Sequence, residues 1–246
     1  MTMSRIVSIE TLDGLDSDDP AAIRSRCDLK RIHFVMGTRA ILLRALHDST
    51  VSLRIDTPLR ILELGAGDGT LMLGVAQALA PTWLHVELTL LDRQLLIDQK
   101  TIKSYAEVGW TTVEKMVDIF DWVAEANDNH QMNNKSTHWD LIVTNLFLHH
   151  FDDTQLASLL SSIASRTNRL FACEPRRSRL ALAGSHLVGI IGANSVTRED
   201  AVLSVHAGFC GNELSTIWPS HIVEWNLHEY SAGLFSHCFC ANRLVN

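Results

Sequence analysis

The sequence predicts a doubly wound α/β fold with a mostly parallel, seven-stranded sheet, a helical lid at the N-terminus and an antiparallel hairpin at the C-terminus. Three observations support this prediction. Strand-like and helix-like segments alternate from residue 58 onward, a glycine-rich turn follows the first strand, and two strand-like segments joined by a short link close the chain. Alternating strands and helices favour a parallel sheet, because each crossover helix covers one face of it.

The 246-residue chain has the composition of a globular protein. It carries 21 Lys and Arg against 28 Asp and Glu, a formal net charge of -7, and 46% of its residues are hydrophobic. This acidic balance disfavours a nucleic-acid partner, since phosphate binding needs a basic face. The apolar runs are shorter than the roughly 18 to 20 residues of a membrane span, and the first ten residues lack a signal pattern. We therefore expect a cytoplasmic protein with no membrane partner and with reduced cysteines.

The first 50 residues are predicted to form the helical lid, and residues 51–246 the second domain. Asp19 before Pro20 favours the start of a helix. Gly37 is expected to divide the apolar pattern that follows into two helices. These helices can pack on the sheet or cover a bound substrate, and the sequence leaves both alternatives open.

Seven strand-like segments make up the second domain; helices follow the first, second and fourth of them, and a polar insert follows the third. Hydrophobic periodicity places the strands at 58–64, 85–92, 110–118, 139–147, 169–175, 223–230 and 234–244 and the helices at 70–80, 93–109 and 152–167. An Asn-rich polar insert covers 126–138. After the fifth strand, about residues 175–218 form an insertion on the substrate side. Cys238 and Cys240 fall two apart on the last strand, and filling of the core is favoured there over a zinc site.

The segment from Glu63 to Thr70, ELGAGDGT, is the most informative motif. Its glycines permit a sharp turn and the close approach of a ligand, while the next helix offers unpaired N–H groups. Thr70 stands where a nicotinamide or flavin loop has its third glycine, which disfavours those cofactors. Asp92 and Asp118 each end a predicted strand, so they are expected at the same rim. Asp92 lies 23 positions after Gly69, close to the roughly 20-residue offset of an acid that binds ribose hydroxyls.

The motifs ELGAGDG, LLD, VDIFDW and WDLIVTNLFLHHF occur in this order, and on them the sequence resembles the class I S-adenosylmethionine-dependent methyltransferases, which have a Rossmann-like fold. LFLHHFDD is similar to the loop of ubiquinone- and menaquinone-biosynthesis methyltransferases. CEPRRSRLAL and TREDAVLSVHAGF are similar to segments of polyketide- and quinone-pathway methyltransferases. The resemblance implies transfer of the methyl group of S-adenosylmethionine to a small aromatic acceptor, by O-methylation of a phenol or quinol in secondary metabolism.

The resemblance also implies the cofactor-binding residues. Gly65, Gly67 and Gly69 would line the methionine part and Glu63 would order its ammonium group. Asp92 would hold the ribose hydroxyls, and Asp118 with Ile119 the adenine. The full set implied for cofactor binding is Glu63, Gly65, Ala66, Gly67, Gly69, Asp92, Arg93, Asp118, Ile119 and Asn145.

His149 and His150 follow the fourth strand, where an acceptor would meet the methyl group. A neutral imidazole can remove a hydroxyl proton, so either residue is a candidate catalytic base. The alternative is that one histidine caps the loop and the other is solvated. No metal is expected, because neighbouring histidines generally point in different directions. The candidate substrate-binding residues are His33, Phe34, Met36, Arg176, His186 and Arg198, each of which has ordinary packing or solvation as its alternative.

Other functions stay open at this point. Asn145 is followed by Leu146 and Phe147 instead of the N-P-P-[YFW] motif, which disfavours methylation of an amino group of adenine or glutamine. A protein or RNA methyltransferase is still an alternative, as is a catalytically silent cofactor-binding subunit. The sequence does not indicate the oligomeric state.

Overall fold

The computed structural model describes residues 3–50, 58–129, 138–219 and 224–244. Within these ranges the strands are β1 (Leu59–Leu64), β2 (Val86–Asp92), β3 (Trp110–Met116), β4 (Leu141–Asn145), β5 (Arg169–Pro175), β6 (Trp225–Ala232) and β7 (Ser236–Arg243). They form one seven-stranded sheet in the order β3-β2-β1-β4-β5-β7-β6. Strands β1 to β5 are parallel, and β7 pairs antiparallel with both β5 and β6. The predicted fold class is confirmed.

Nine α-helices flank this sheet in the described ranges. They are α1 (Pro20–Met36), α2 (Thr38–Thr50), α3 (Thr70–Leu79), α4 (Gln99–Glu107), α5 (Ile119–Asn129), α6 (Asp153–Arg166), α7 (Arg179–His186), α8 (Ser195–Ala207) and α9 (Glu213–Ile217). None of them is long and apolar enough to cross a membrane. Asp19 caps α1 by accepting a hydrogen bond from the backbone N–H of Ala21, and Gly37, with φ of 67°, separates α1 from α2. Both features were predicted.

Several predicted boundaries were wrong for local reasons. The fourth strand ends at Asn145 instead of residue 147, because Leu146 turns the chain with φ of 49°. The helix predicted from residue 93 begins at Gln99, where the Asp98 side chain caps it. Helix α5 was not predicted; it starts where Asp118 accepts a hydrogen bond from the backbone N–H of Phe120. Residues 130–137 of the polar insert lie outside the described residues.

Both faces of the sheet are buried, as expected for parallel strands. Helices α5, α6 and α9 contribute apolar side chains to one face, and α2, α3 and α4 to the other. Leu42, Ala45 and Leu46 of α2 are buried in the second cluster. Helix α2 therefore packs on the sheet, the first of the two alternatives for the N-terminal helices. The division of the chain at residues 50 and 51 stays a prediction, and residues 51–57 lie outside the described residues.

The insertion after β5 is fastened to the end of that strand. The backbone N–H of Phe209 donates to the carbonyl of Pro175 at 2.9 Å, and the N–H of Arg177 donates to the carbonyl of Phe209 at 2.9 Å. This close approach leaves no room at Gly208, where an added Cβ would lie 2.2 Å from the Pro175 carbonyl oxygen. Gly208 is thus required by backbone contact.

We expect Gly208→Ala to lower the free energy of unfolding by about 1 to 3 kcal/mol, the usual cost of overpacking a site that cannot expand. Gly14→Ala is the matched control, because nothing lies within 4 Å of a Cβ built on Gly14. Urea unfolding of both variants measures the difference. Equal midpoints for Gly208→Ala and the wild type would show that the strand end and the insertion are not held together in this way.

Candidate functional site

The glycine loop between β1 and α3 forms the centre of the rim at the carboxyl ends of the parallel strands. Gly65, Gly67 and Gly69 have φ of 71°, 56° and 70°, a region that side chains with a Cβ rarely adopt. The Tyr105 hydroxyl donates to the Gly69 carbonyl at 2.7 Å, and burial raises the pKa of this tyrosine far above its ordinary value. The loop is therefore held rigidly from the α4 side.

Asp92 links this loop to the end of β2. One of its carboxylate oxygens accepts from the backbone N–H of Gly67 at 2.9 Å, and the other accepts from the N–H of Gln94 at 3.0 Å. The next residue, Arg93, forms an ion pair with Asp13 at 3.1 Å. The structure thus brings Asp92 to the glycine loop, as predicted, and points Arg93 toward the N-terminal segment.

Glu63 and Asn145 supply two buried oxygens without a partner among the described residues. Glu63 is the last residue but one of β1, beside the glycine loop, and is 3% exposed. Asn145 is the last residue of the adjacent strand β4. Burial, with the charges of Asp92 and Asp68, raises the pKa of Glu63 to about 8. A buried acceptor without a donor is costly. These two oxygens are therefore suited to receive N–H groups from a bound ligand.

An aromatic row lies along the rim between the β3 and β4 ends. The ring of Phe151 packs edge to face against Phe120 and Phe147, with ring centroids 5.7 Å and 5.1 Å apart. Phe147 covers Gly65 so closely that a Cβ there would lie 2.4 Å from the ring. Of the predicted adenine residues, Asp118 is exposed at the start of α5 and Ile119 is buried in the core.

A cavity of about 350 Å³ lies between α1, the glycine loop and the segment after β2. At its edge Lys30 of α1 forms an ion pair with Asp68 at 2.7 Å. Burial alone would raise the pKa of Asp68, but hydrogen bonds from Lys30 and Thr70 outweigh it and lower the pKa. The cavity is lined by Ser17, Asp18, Ile23, Arg26, Cys27, Lys30, Asp68, Leu95 and Leu96.

His149 is buried between two carboxylates. Its Nδ1 donates to Glu174 at 2.8 Å, and its Nε2 lies 3.3 Å from Glu10. Glu174 also accepts from the backbone N–H groups of Phe147 and Leu148. Burial alone would lower the pKa of His149, but the neighbouring carboxylates of Glu10 and Glu174 raise it to about 9. Both ring nitrogens thus face acidic partners.

His150 faces the same acids and is more open. Its Nδ1 donates to the Phe147 carbonyl at 3.0 Å, while its Nε2 lies 3.5 Å from Glu10 and 3.6 Å from Asp13. The two histidine rings are 4.2 Å apart, so the expectation that they point in different directions was wrong. A role of either histidine as catalytic base stays a prediction.

The six predicted substrate-binding residues lie in different places. His33 contacts Thr38, and its burial lowers its pKa to about 4. Phe34, at 88% exposure, points to solvent, while Met36 is half-buried at the end of α1. In the insertion, Arg176 is half-buried, and both His186 and Arg198 are exposed. None of the six lines the cavity described above. The structure does not bring them together as one wall.

Residues 3–15, called here the N-terminal strap, cross this rim. Arg5 donates to the Phe151 carbonyl at 2.8 Å, and Asp200 accepts from the backbone N–H groups of Thr11 and Leu12. Sequence reasoning missed the strap, because its partners are distant in the chain. It also missed several residues of the site, of which only the phenylalanines and Glu174 stood in quoted motifs: Glu10, Asp13, Lys30, Phe120, Phe147, Phe151 and Glu174.

Comparison with known proteins identifies the family. A family described as a methyltransferase domain matches residues 38–200. No curated protein matches the sequence. This match covers more than half of the chain, from α2 through the glycine loop and the histidine pair into α8.

Solved structures share the fold at low sequence identity. The plantazolicin methyltransferase BpumL, in complex with a monoazolic desmethylPZN analog and SAH, aligns with a TM-score of 0.59 and 14% identity over 93% of this chain and 92% of that chain. An O-methyltransferase family protein from Burkholderia thailandensis aligns with a TM-score of 0.58 and 13% identity over 93% of this chain and 63% of that chain. Magnesium protoporphyrin IX methyltransferase from Synechocystis PCC 6803, with bound SAH, aligns with a TM-score of 0.50 and 15% identity over 95% of this chain and 91% of that chain. The chain therefore belongs to the methyltransferase domain family, which confirms the resemblance to class I S-adenosylmethionine-dependent methyltransferases.

Proposed function

We propose that the protein transfers the methyl group of S-adenosylmethionine to the hydroxyl of a small aromatic acceptor, a phenol or quinol. The observation that carries this proposal is the aromatic row Phe120, Phe151 and Phe147, which runs along the rim to the glycine loop. Rings in edge-to-face contact offer a further aromatic ring the same favourable geometry. The acidic net charge and the absence of an N-P-P-[YFW] motif after β4 agree with this choice.

The residues of the rim fit the cofactor. The unpartnered oxygens of Glu63 and Asn145 would accept hydrogen bonds from its ammonium group, and the carboxylate of Asp92 would accept from its ribose hydroxyls. The Asp92 oxygens each accept one backbone N–H already, which leaves lone pairs for two more donors. Arg93, Asp118 and Ile119 follow the ends of β2 and β3, where the adenine would lie.

The protein's part in the reaction is mainly alignment. When bound, the cofactor supplies an electrophilic methyl group on a positively charged sulfur. The acceptor oxygen must approach that methyl in line, at a distance of about 3 to 3.5 Å, with water excluded. Phe147 over Gly65 and the strap across the rim place apolar and backbone groups around this point. The half-buried His150 is the more accessible of the two predicted bases.

Asp92→Ala is expected to weaken binding of S-adenosylhomocysteine by about 100-fold or more, since two hydrogen bonds to a charged group contribute about 1.5 to 3 kcal/mol each. Glu87→Ala is the control, because Glu87 lies on the same strand and its side chain is 55% exposed. Calorimetry on both variants measures the affinity, and circular dichroism checks their fold. Unchanged affinity in Asp92→Ala would contradict the proposed cofactor site.

Glu63 is expected to make cofactor binding release protons. Its pKa is about 8 in the free protein, and a bound ammonium group lowers that pKa. Affinity should therefore increase from pH 6 toward pH 8 by up to about tenfold per pH unit. Above that range the ligand's own α-amino group, with an ordinary pKa of about 7.7 to 8.0, loses its proton and affinity should fall.

Calorimetry at pH 6.5 in two buffers of different protonation enthalpy measures this release. Glu63→Gln is the matched variant, since its side chain has the same shape and does not titrate. Binding by the wild type without proton exchange would exclude Glu63 as the partner of the ammonium group.

The acceptor class is tested by incubating the full chain and S-adenosylmethionine with phenols, quinols, carboxylates and amines. We expect a methyl ether of a phenol or quinol, detected by mass spectrometry together with released S-adenosylhomocysteine. Phe147→Ala should raise the KM for the aromatic acceptor about 2- to 10-fold, from the loss of about 0.5 to 1.5 kcal/mol of ring contact. Val113→Ala, on the exposed edge strand β3, should not. Methylation confined to amines or to a protein would reject the phenol proposal, and a chain without turnover would be a silent subunit.

A further inference from the structure

Three potential metal ligands converge between the strap and the turn after β4, and a further acid lies beside them. The strap contributes Glu10 and Asp13, and the turn contributes His149 and His150. One ligand atom from each of Glu10, His149 and His150 lies within 4.8 Å of the other two. The Nε2 atom of His150 lies 3.6 Å from Asp13. Two segments more than a hundred residues apart in sequence thus present imidazole and carboxylate groups to one point.

In each ring the partner of Nδ1 decides whether that nitrogen carries a proton, and this decides what Nε2 can bind. The Nδ1 of His150 lies 3.0 Å from the carbonyl oxygen of Phe147, which only accepts hydrogen bonds, so this nitrogen carries a proton. The Nδ1 of His149 lies 2.8 Å from the Glu174 carboxylate, which requires a proton there as well. In a neutral ring each Nε2 would then direct a lone pair at a carboxylate. A positive charge is needed between them, either a proton on each ring or one metal ion.

The distances distinguish these two cations. Hydrogen bonds between a charged N–H and a carboxylate are about 2.7 to 2.9 Å long, whereas Nε2 of His149 lies 3.3 Å from Glu10 and Nε2 of His150 lies 3.5 Å from it. Two ligands bound at about 2.0 to 2.2 Å to one tetrahedral ion are separated by roughly 3.4 Å. The distances from the two Nε2 atoms to the Glu10 carboxylate therefore match metal ligands better than direct hydrogen bonds.

We propose that Glu10, His149 and His150 bind one divalent transition-metal ion, with zinc as the best match. Two imidazoles with a carboxylate suit zinc and its neighbours, whereas magnesium and calcium prefer oxygen ligands alone. The groups that usually orient metal ligands are also in place. Glu174 and the Phe147 carbonyl hold the two Nδ1 atoms, and the Ser204 hydroxyl donates to Glu10.

The ion would fasten the strap to the rim. Glu10 and Asp13 come from the strap, and Asp13 also pairs with Arg93 beside the proposed ribose site. His149 is 2% exposed, and the three protein ligands leave one position of a tetrahedral ion for water. The inference does not depend on the proposed acceptor or on methyl transfer. It excludes His149 and His150 as catalytic bases, because their Nε2 lone pairs would bind the ion. It opposes the expectation from the sequence that no metal is bound.

The test uses the full chain without a polyhistidine tag, stripped with a chelator and dialysed. Zn²⁺ is titrated by calorimetry, and Co²⁺ is added separately, because its visible absorption is intense only in four-coordinate sites. Glu10→Gln and His150→Ala remove one ligand each. His85→Ala is the control, since His85 is an exposed histidine just before β2, at the opposite end of the strands from the site.

The wild type and His85→Ala are expected to bind one equivalent of Zn²⁺ and to give the intense Co²⁺ spectrum. Each ligand variant should bind Zn²⁺ at least tenfold more weakly. His150→Ala keeps the test decisive if a buried variant fails to fold by circular dichroism, because the His150 side chain is 23% exposed. No stoichiometric binding by the wild type, or affinity unchanged in the folded ligand variants, would overturn the proposal and leave protons as the cations.

Discussion

The site depends on the buried carboxylate of Glu174 at the end of β5. A buried carboxylate is costly unless hydrogen bonds satisfy it. Glu174 is fully buried and accepts from the backbone N–H groups of Phe147 and Leu148 and from the ring of His149. These bonds fix the turn after β4 in one conformation. The position of Phe147 over Gly65 and the direction of both histidine rings follow from that turn.

The same turn explains why the strap crosses the rim at this place. The carbonyl groups and histidine side chains of this turn face the strap. The strap supplies a hydrogen-bond donor to the carbonyl groups and a carboxylate to the histidines. Arg5 donates to the carbonyl of Phe151, and Glu10 faces the His149 ring. Asp200 in α8 receives the backbone N–H groups of Thr11 and Leu12. The strap is thus held by polar contacts with the rim and α8 instead of by an apolar core. Segments held in this way open at a lower free energy than packed helices do.

The fold could be predicted from the sequence because its signals are local. The alternation of strands and helices, the glycine loop and Asp19 before Pro20 each act within a few residues. All three glycines of the quoted motif adopt positive φ. The start of α4 was predicted six residues too early, because an apolar run after β2 resembled helix while the Asp98 cap set the actual start.

The histidine cluster could not be predicted in this way. Glu10 and His149 are 139 residues apart, and no local pattern connects an acidic entry loop with a turn after the fourth strand. The turn that carries both rings includes Leu146, whose φ of 49° is rare for a leucine and is not indicated by the sequence. The predicted substrate-binding residues failed to converge for a related reason. They were chosen for chemistry in two segments whose relative placement the sequence does not specify.

The rim also concentrates the unfavourable terms of the structure. Leu146 occupies a backbone region that costs a non-glycine residue about 1 to 2 kcal/mol. Glu63 is buried beside two other acids, and both it and Asn145 carry an oxygen without a partner among the described residues. Such costs persist only where the surrounding sheet is stable enough to enforce them. Because a ligand with an ammonium group relieves the cost at Glu63, its binding energy includes the recovery of a penalty that the free protein already carries. The glycine loop and the parallel strand ends hold these acceptors in place before the ligand arrives, so little reorganisation opposes binding.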